Sequence, residues 1–260
     1  QSRVPGVGAS GPLTGAPRVD YESSNADRHS AVAHRKSPVA LSDLFARRHK
    51  DDQEAEGPVQ PTRVLDRFLA SLSGRPQPVI LDLGPVVGSN VTFFREEVSC
   101  KICLEDLPKD LDRHVTEGKL DQLPAFFDTR FPYETESIDG ILCWDIFDFL
   151  DRPASERLAR QLKRVLRPEG VLLAFFSTAD PRSVPRATYT KHVVVDRTHL
   201  QYRSYAAARG KQRPLLNRDI QRLLEPLRIT ENILLKNNLR EVLFRKPAAT
   251  DTPAAPSGTR

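Results

Sequence analysis

Short apolar runs that end beside acidic residues alternate with helical segments through the middle of this chain, and this alternation constrains the fold more than any other feature. Runs of this length that are mainly apolar are typical of strands buried on both faces of a parallel sheet. They are residues 78–84, which contain Asp82, residues 100–104, followed by Glu105, and residues 138–144, followed by Asp145. The pattern predicts an α/β fold with a doubly wound, mostly parallel, Rossmann-like sheet and helices on its faces.

The flanking segments extend this prediction. Residues 64–72 have apolar positions at helical spacing, with Thr62 as the expected cap and Gly74 as the expected end. A second helix is predicted over 155–166, a strand over 171–176 and a third helix over 215–227, capped by Asn217. Two strand-like runs, 228–236 and 239–246, are joined by two asparagines and predict an antiparallel C-terminal hairpin.

Composition divides the chain into three parts. Residues 1–60 are rich in Gly, Pro, Ser and charge and lack a sustained apolar period, so we expect a disordered arm, with one short helix over 41–50. Residues 61–246 are expected to form the folded domain, and residues 247–260 a disordered tail.

The longest uninterrupted apolar run has six residues, far fewer than the ~20 that cross a bilayer. We therefore expect no membrane segment, and we expect a cytoplasmic protein because no secretory signal is visible. The oligomeric state is left open. Cys100 and Cys103 have the spacing of half a metal site, but they fall on a predicted strand and no second pair exists, so no metal is expected.

The turn after the first strand carries the motif Asp82-x-Gly84-x-x-x-Gly88. No lysine follows Gly88, which excludes a P-loop, and a dinucleotide fingerprint would need more glycines. In open α/β sheets this turn lies at the carboxyl ends of the strands, where ligands bind. The turn is therefore the expected binding site.

The motif and the segments that follow it resemble the class I S-adenosylmethionine-dependent methyltransferases, particularly the type 11-like methyltransferase domain, over residues 62–246. Asp82, Gly84 and Gly88 match the family's first-strand acid and glycine turn, whereas Val86 stands in place of the middle glycine. Residues 131–144 and 162–173 resemble the family's fourth-strand and fifth-strand motifs.

The resemblance implies S-adenosylmethionine as cofactor, and methyl transfer as the activity. It also implies that Glu105, or Asp106 if the register slips by one, binds the ribose hydroxyls and that Asp128 lies near the adenine. Trp144 either packs against the cofactor or is a core aromatic. The catalytic residue stays unassigned, and a non-catalytic binding module with a degenerate glycine turn is the alternative.

Net charge is uneven, at −5 over residues 61–180 and +10 over 181–260. Residues 182–222 hold ten basic and two acidic residues and three of the five tyrosines. This segment predicts either a site for a small anionic acceptor, with RNA as a less favoured partner, or a solvated basic loop. His192 and His199 fit surface positions better than catalytic ones, and Asp145 and Asp148 either face the cleft or begin a helix.

Overall fold

The computed structural model describes residues 57–183, 187–212 and 214–248. Its main sheet has six strands, which are β2 (Val79–Asp82), β3 (Lys101–Leu104), β4 (Ile138–Trp144), β5 (Leu166–Ser177), β8 (Arg228–Leu234) and β9 (Leu239–Arg245). Their order in the sheet is β3-β2-β4-β5-β9-β8. Pairing is parallel from β3 to β5 and antiparallel for the last two strands. The predicted doubly wound sheet with an antiparallel C-terminal hairpin is confirmed.

Helices cover both faces of this sheet, and the buried side chains form a separate apolar cluster on each face. The helices are α1 (Leu65–Leu72), α2 (Gly88–Val98), α3 (Leu107–Thr116), α4 (Leu123–Arg130), α5 (Arg152–Val165) and α6 (Asn217–Leu224). The cluster on one face is built on α1 and α2, and the cluster on the other on α3 to α6. All seven residues of β4 are buried, as a central parallel strand requires.

A second, smaller sheet was not foreseen. It has the antiparallel order β1-β7-β6, with β1 at Val59–Pro61, β6 at Thr188–Asp196 and β7 at His199–Ala206. The basic segment interpreted either as an acceptor site or as a loop therefore forms a β-hairpin, β6–β7, in its first half.

Two predicted helix caps are wrong. The helix α1 begins after Val64 without a side-chain cap of its own, and the buried Glu241 of β9 accepts hydrogen bonds from the amides of Arg63 and Val64 at 2.8 and 3.1 Å. A distant carboxylate thus satisfies amides that Thr62 was expected to serve. Likewise, Asn217 is the first residue of α6 and caps nothing.

The expected arm over 1–60 lies almost wholly outside the described residues, as do its short helix over 41–50 and nearly all of the expected tail. Within the part that the structure describes, no helix is long and apolar enough to cross a membrane.

Candidate active site

The glycine turn brings the first candidate residues together at the carboxyl end of β2. Asp82 is buried, and its Oδ1 accepts hydrogen bonds from the Gly84 amide at 3.0 Å and from the Trp144 indole nitrogen at 2.7 Å. Burial raises the pKa of Asp82 to about 6, although both hydrogen bonds oppose the rise. Val86 does not adopt a positive φ, so a β-branched residue fits this turn without strain.

Trp144, at the end of β4, lies directly over this turn. A Cβ atom on Gly84 would come within 2.5 Å of the indole Cδ1, so only glycine permits this approach. On the other side the indole stacks on the His192 ring, with centroids 5.0 Å apart and planes 6° from parallel. His192 is buried, which lowers its pKa to about 4 and keeps the imidazole neutral at pH 7. It is therefore not the surface residue expected.

Glu105 follows β3, and its side chain has two partners within the protein. Its carboxylate forms an ion pair with Arg130 and accepts a hydrogen bond from the Tyr133 hydroxyl, while Arg130 also pairs with Asp110 at 2.6 Å. Burial and this hydrogen bond raise the pKa of Tyr133 far above its usual range, so the phenol stays a donor. Each carboxylate oxygen keeps a further lone pair, so Glu105 is oriented and can still accept hydrogen bonds.

The other two acidic candidates have structural partners. Asp106 caps α3 by accepting a hydrogen bond from the Lys109 amide at 3.1 Å. Asp128 lies on α4 and pairs with Arg157 of α5 at 2.7 Å. The structure does not bring Asp128 to the lining of the cavity beside the glycine turn. Gly88 begins α2, at the far end of the turn.

Little space remains beside the turn. The cavity lined by Gly84, Pro85, Trp144 and Asp145, with Tyr189 and Thr190 of β6, has a volume of about 10 Å³. Such a cavity holds about one water molecule, whereas ligand sites of this kind measure roughly 300 to 1,000 Å³. The carboxylates of Asp82 and Glu105, at neighbouring strand ends, suit a ligand that carries a positive charge and a ribose diol, because they supply negative charge and accept hydrogen bonds. The indole and β6 fill the space above this turn.

The β6–β7 hairpin covers the cleft and is anchored on both sides. The Asn90 side chain of α2 donates to the His192 carbonyl and accepts from the Val194 amide, both at 2.8 Å. On the other side, Asp112 of α3 accepts from the Tyr189 hydroxyl and from the Ala208 amide, both at 2.9 Å. The hairpin is therefore a fixed cap over the carboxyl ends of the parallel strands.

A half-buried lysine, Lys211, connects the segment that follows the hairpin to the segment that follows β4. The Lys211 ammonium lies 2.9 Å from a carboxylate oxygen of Asp145 and 2.9 Å from one of Asp148. Burial raises the pKa of Asp148 to about 6, while Lys211 holds the pKa of Asp145 below its usual value. Both acids are internal ion-pair partners, and they also stand at the start of a short 3-10 helix, Ile146–Phe149, with Asp145 at its N-cap position.

A larger open groove of about 890 Å³ lies elsewhere, between α6 and the outer ends of β8 and β9. None of the candidate acids lines it. The residues that sequence reasoning missed are Asn90, Asp112, Arg130 and Tyr133, whose roles depend on partners far away in the chain. The only sequence signal for an element that covers the cleft is the presence of three tyrosines in the basic segment.

The family is decided by comparison with known proteins. A methyltransferase-domain family model matches residues 52–225, which is most of the chain. The chain belongs to this family. The resemblance to class I methyltransferases is thereby confirmed, with S-adenosylmethionine as the cofactor of the class.

The individual relatives share less than a third of their residues with this chain. A sarcosine/dimethylglycine N-methyltransferase of Halorhodospira halochloris is 27% identical over 193 residues, covering 71% of this chain and 65% of the relative's length. Among solved structures, a 1,6-didemethyltoxoflavin-N1-methyltransferase of Burkholderia thailandensis is 17% identical, covering 85% of this chain and 93% of its own, with a TM-score of 0.44. A methyltransferase of Aquifex aeolicus is 13% identical, covering 79% and 98%, with a TM-score of 0.41.

Proposed function

We propose that this chain transfers a methyl group from S-adenosylmethionine to a small acceptor that carries an anionic group. The observation that carries the proposal is the pair of carboxylates, Asp82 and Glu105, at neighbouring strand ends beside the Gly84 turn of a methyltransferase domain. When bound, the cofactor supplies a methyl group made electrophilic by the sulfonium charge.

The chain's residues then have distinct roles. Asp82 supplies negative charge in a buried setting, where attraction to a cation is stronger than in water. Glu105 accepts hydrogen bonds from ribose hydroxyls, and Arg130 and Tyr133 hold its carboxylate in place. The cap formed by β6 and β7 excludes water and positions the acceptor, which supplies much of the rate in a direct displacement.

Arg209 supports an anionic acceptor. Its Nη1 is buried and has no hydrogen-bond partner, although buried guanidinium nitrogens are normally paired. Arg209 follows Ala208, whose amide is held by Asp112 together with the Tyr189 hydroxyl, so this donor lies at the edge of the cap. The relative from Halorhodospira acts on sarcosine and dimethylglycine, both of which carry a carboxylate. A carboxylate on the acceptor would satisfy the free guanidinium donor.

A calorimetric titration with S-adenosylmethionine or S-adenosylhomocysteine tests the cofactor site. We expect a Kd in the micromolar range, roughly −8 kcal/mol. Asp82→Ala and Glu105→Ala should each weaken binding by about 1–3 kcal/mol, because a charge-assisted hydrogen bond is lost. Asp128→Ala is the matched control, and its affinity should equal that of the wild type.

The titration also separates methyl transfer from the alternative of a non-catalytic binding module, which the small cavity favours. If neither compound gives heat at millimolar concentration, the methyltransferase function is refuted and the non-catalytic binding module is the remaining hypothesis.

Arg209→Gln tests the acceptor. With small carboxylate-bearing amines as acceptors, beginning with sarcosine, the variant should raise the apparent KM about tenfold or more and leave cofactor affinity unchanged, because one charged hydrogen bond is lost. Formation of S-adenosylhomocysteine is the measurement, and Arg218→Gln, at an exposed position on α6, is the control. An unchanged KM would exclude Arg209 as the anion contact. A gel shift with mixed RNA at low salt addresses the RNA alternative, since polyanion binding falls steeply between 50 and 200 mM salt.

A further inference from the structure

The Trp144 indole lies between Asp82 and His192. Its nitrogen donates to the same Asp82 oxygen that the Gly84 amide uses, and its ring lies flat against the imidazole. The edge of the ring also contacts Phe175, with centroids 5.7 Å apart. Trp144 is 3% exposed, and its indole fills most of the space above the glycine turn.

The backbone at this position differs from that of an ordinary strand end. Trp144 has a φ of +48°, and the pairing of β4 with β5 shifts between Leu142 and Trp144. A bulky side chain in the left-handed region is uncommon and persists only where its surroundings hold it. Here the hydrogen bond to Asp82 and the stack on His192 hold it. Losing these two contacts would release the ring.

His192, on the other face of the indole, is incompletely paired. Its Nδ1 is buried without a hydrogen-bond partner. A buried polar atom without a partner costs free energy, so the closed packing is not optimal for β6. An imidazole with a free nitrogen, facing the indole, would face a ligand if the indole left.

We propose that Trp144 is a gate: its indole fills the cofactor position in the free protein, and S-adenosylmethionine binds only when the indole swings out. The inference rests on the proposed function and adds to it a residue that sets cofactor affinity. A ligand that binds only the open state has its affinity reduced by the fraction of molecules that are open. Removing the indole should therefore tighten cofactor binding, whereas removing a residue that contacts the cofactor would weaken it.

Because Trp144 is the only tryptophan of the chain, its fluorescence reports the gate directly. In the free protein we expect blue-shifted emission that acrylamide quenches poorly, since the ring is buried. Saturation with S-adenosylhomocysteine should shift the emission to the red and increase acrylamide quenching. An indole that stays in place would show neither change.

Calorimetry of two variants tests the effect on affinity. Trp144→Gly suits the positive φ and should bind S-adenosylhomocysteine at least ten times more tightly than the wild type. Trp144→Phe keeps a ring but loses the hydrogen bond to Asp82, so its affinity should lie between those of the wild type and the glycine variant. It replaces the glycine variant in the test if that variant does not fold. Phe127→Leu, a buried aromatic of α4 that does not line the cavity, controls for general loosening and should leave the affinity unchanged.

The outcomes separate the gate from the proposed function. Binding by wild type with a red shift, together with tighter binding by the glycine variant, supports the gate. Binding by that variant alone means that the indole blocks the wild type outright, which overturns both the gate and the proposed function. Equal affinity in all proteins with unchanged emission overturns the gate and leaves the methyltransferase function standing. Absence of binding in every protein overturns both.

Discussion

Replacing Lys211 with methionine is expected to lower the free energy of unfolding by about 3–5 kcal/mol at pH 8, because it leaves two buried carboxylates without their shared cation. The side chains of Asp145 and Asp148 are 9% and 3% exposed, so water cannot take the place of the ammonium. Urea unfolding, with the slope checked against the wild type, is the measurement. Lys236→Met, at an exposed position after β8, is the control and should change stability by less than about 0.5 kcal/mol.

The deficit of the Lys211 variant should depend on pH. In the wild type, the folded-state pKa of Asp148, about 6, lies above the ordinary value of 3.8, so ionising this group costs stability as the pH rises from about 4 to about 6. Without Lys211 the cost of ionising both acids grows. At pH 5 the variant keeps these carboxyls protonated, so its deficit should be smaller than at pH 8. A deficit that is equal at both pH values would contradict the buried ion-pair assignment.

The second large effect is expected at Asn90. Asn90→Ala leaves the Val194 amide and the His192 carbonyl of β6 without their side-chain partner, at a cost of about 2–4 kcal/mol in unfolding free energy. The loss should also show locally, as faster hydrogen exchange of the Val194 amide. Both changes have one cause, the release of the hairpin from α2.

Thr92→Ala, on the exposed side of the same helix, is the matched control for Asn90. Its stability and the exchange of the Val194 amide should stay close to those of the wild type. If Asn90→Ala left the exchange at Val194 unchanged, Asn90 would not be the anchor of the cap.

Much of the main sheet could be predicted because its signals are local. The strand β4 coincides with the predicted run 138–144, since a central parallel strand is mainly apolar, and its one charged residue, Asp139, is paired with Arg75 and Arg167. The C-terminal hairpin was recognised from its paired asparagines, and Asn238 adopts the expected positive φ of 59°. The cap of α1 was misassigned because Glu241 lies 177 residues from the amide that it serves.

The candidate site was predicted only in part. The acids at the strand ends follow from the alternation of runs and from the parallel topology, which places successive carboxyl ends at one edge of the sheet. The partners of these acids do not follow from it. Arg130 and Tyr133, which orient Glu105, lie 25 and 28 residues away from it on another part of the chain, and no local period marks them.

By itself, the sequence determined the six strands of the main sheet, three of the helices that cover it, and that Asp82 and Glu105 stand beside a glycine turn, because hydrophobic period and turn chemistry act over a few residues. Only the tertiary structure decided that the basic segment folds back as a cap, that Lys211 joins two acids beneath it, and that Trp144 closes the space above Gly84. Those arrangements bring together residues 48 to 66 positions apart. Packing selects such contacts from many that the local pattern allows, so the sequence pattern alone does not decide how much space remains beside the acids.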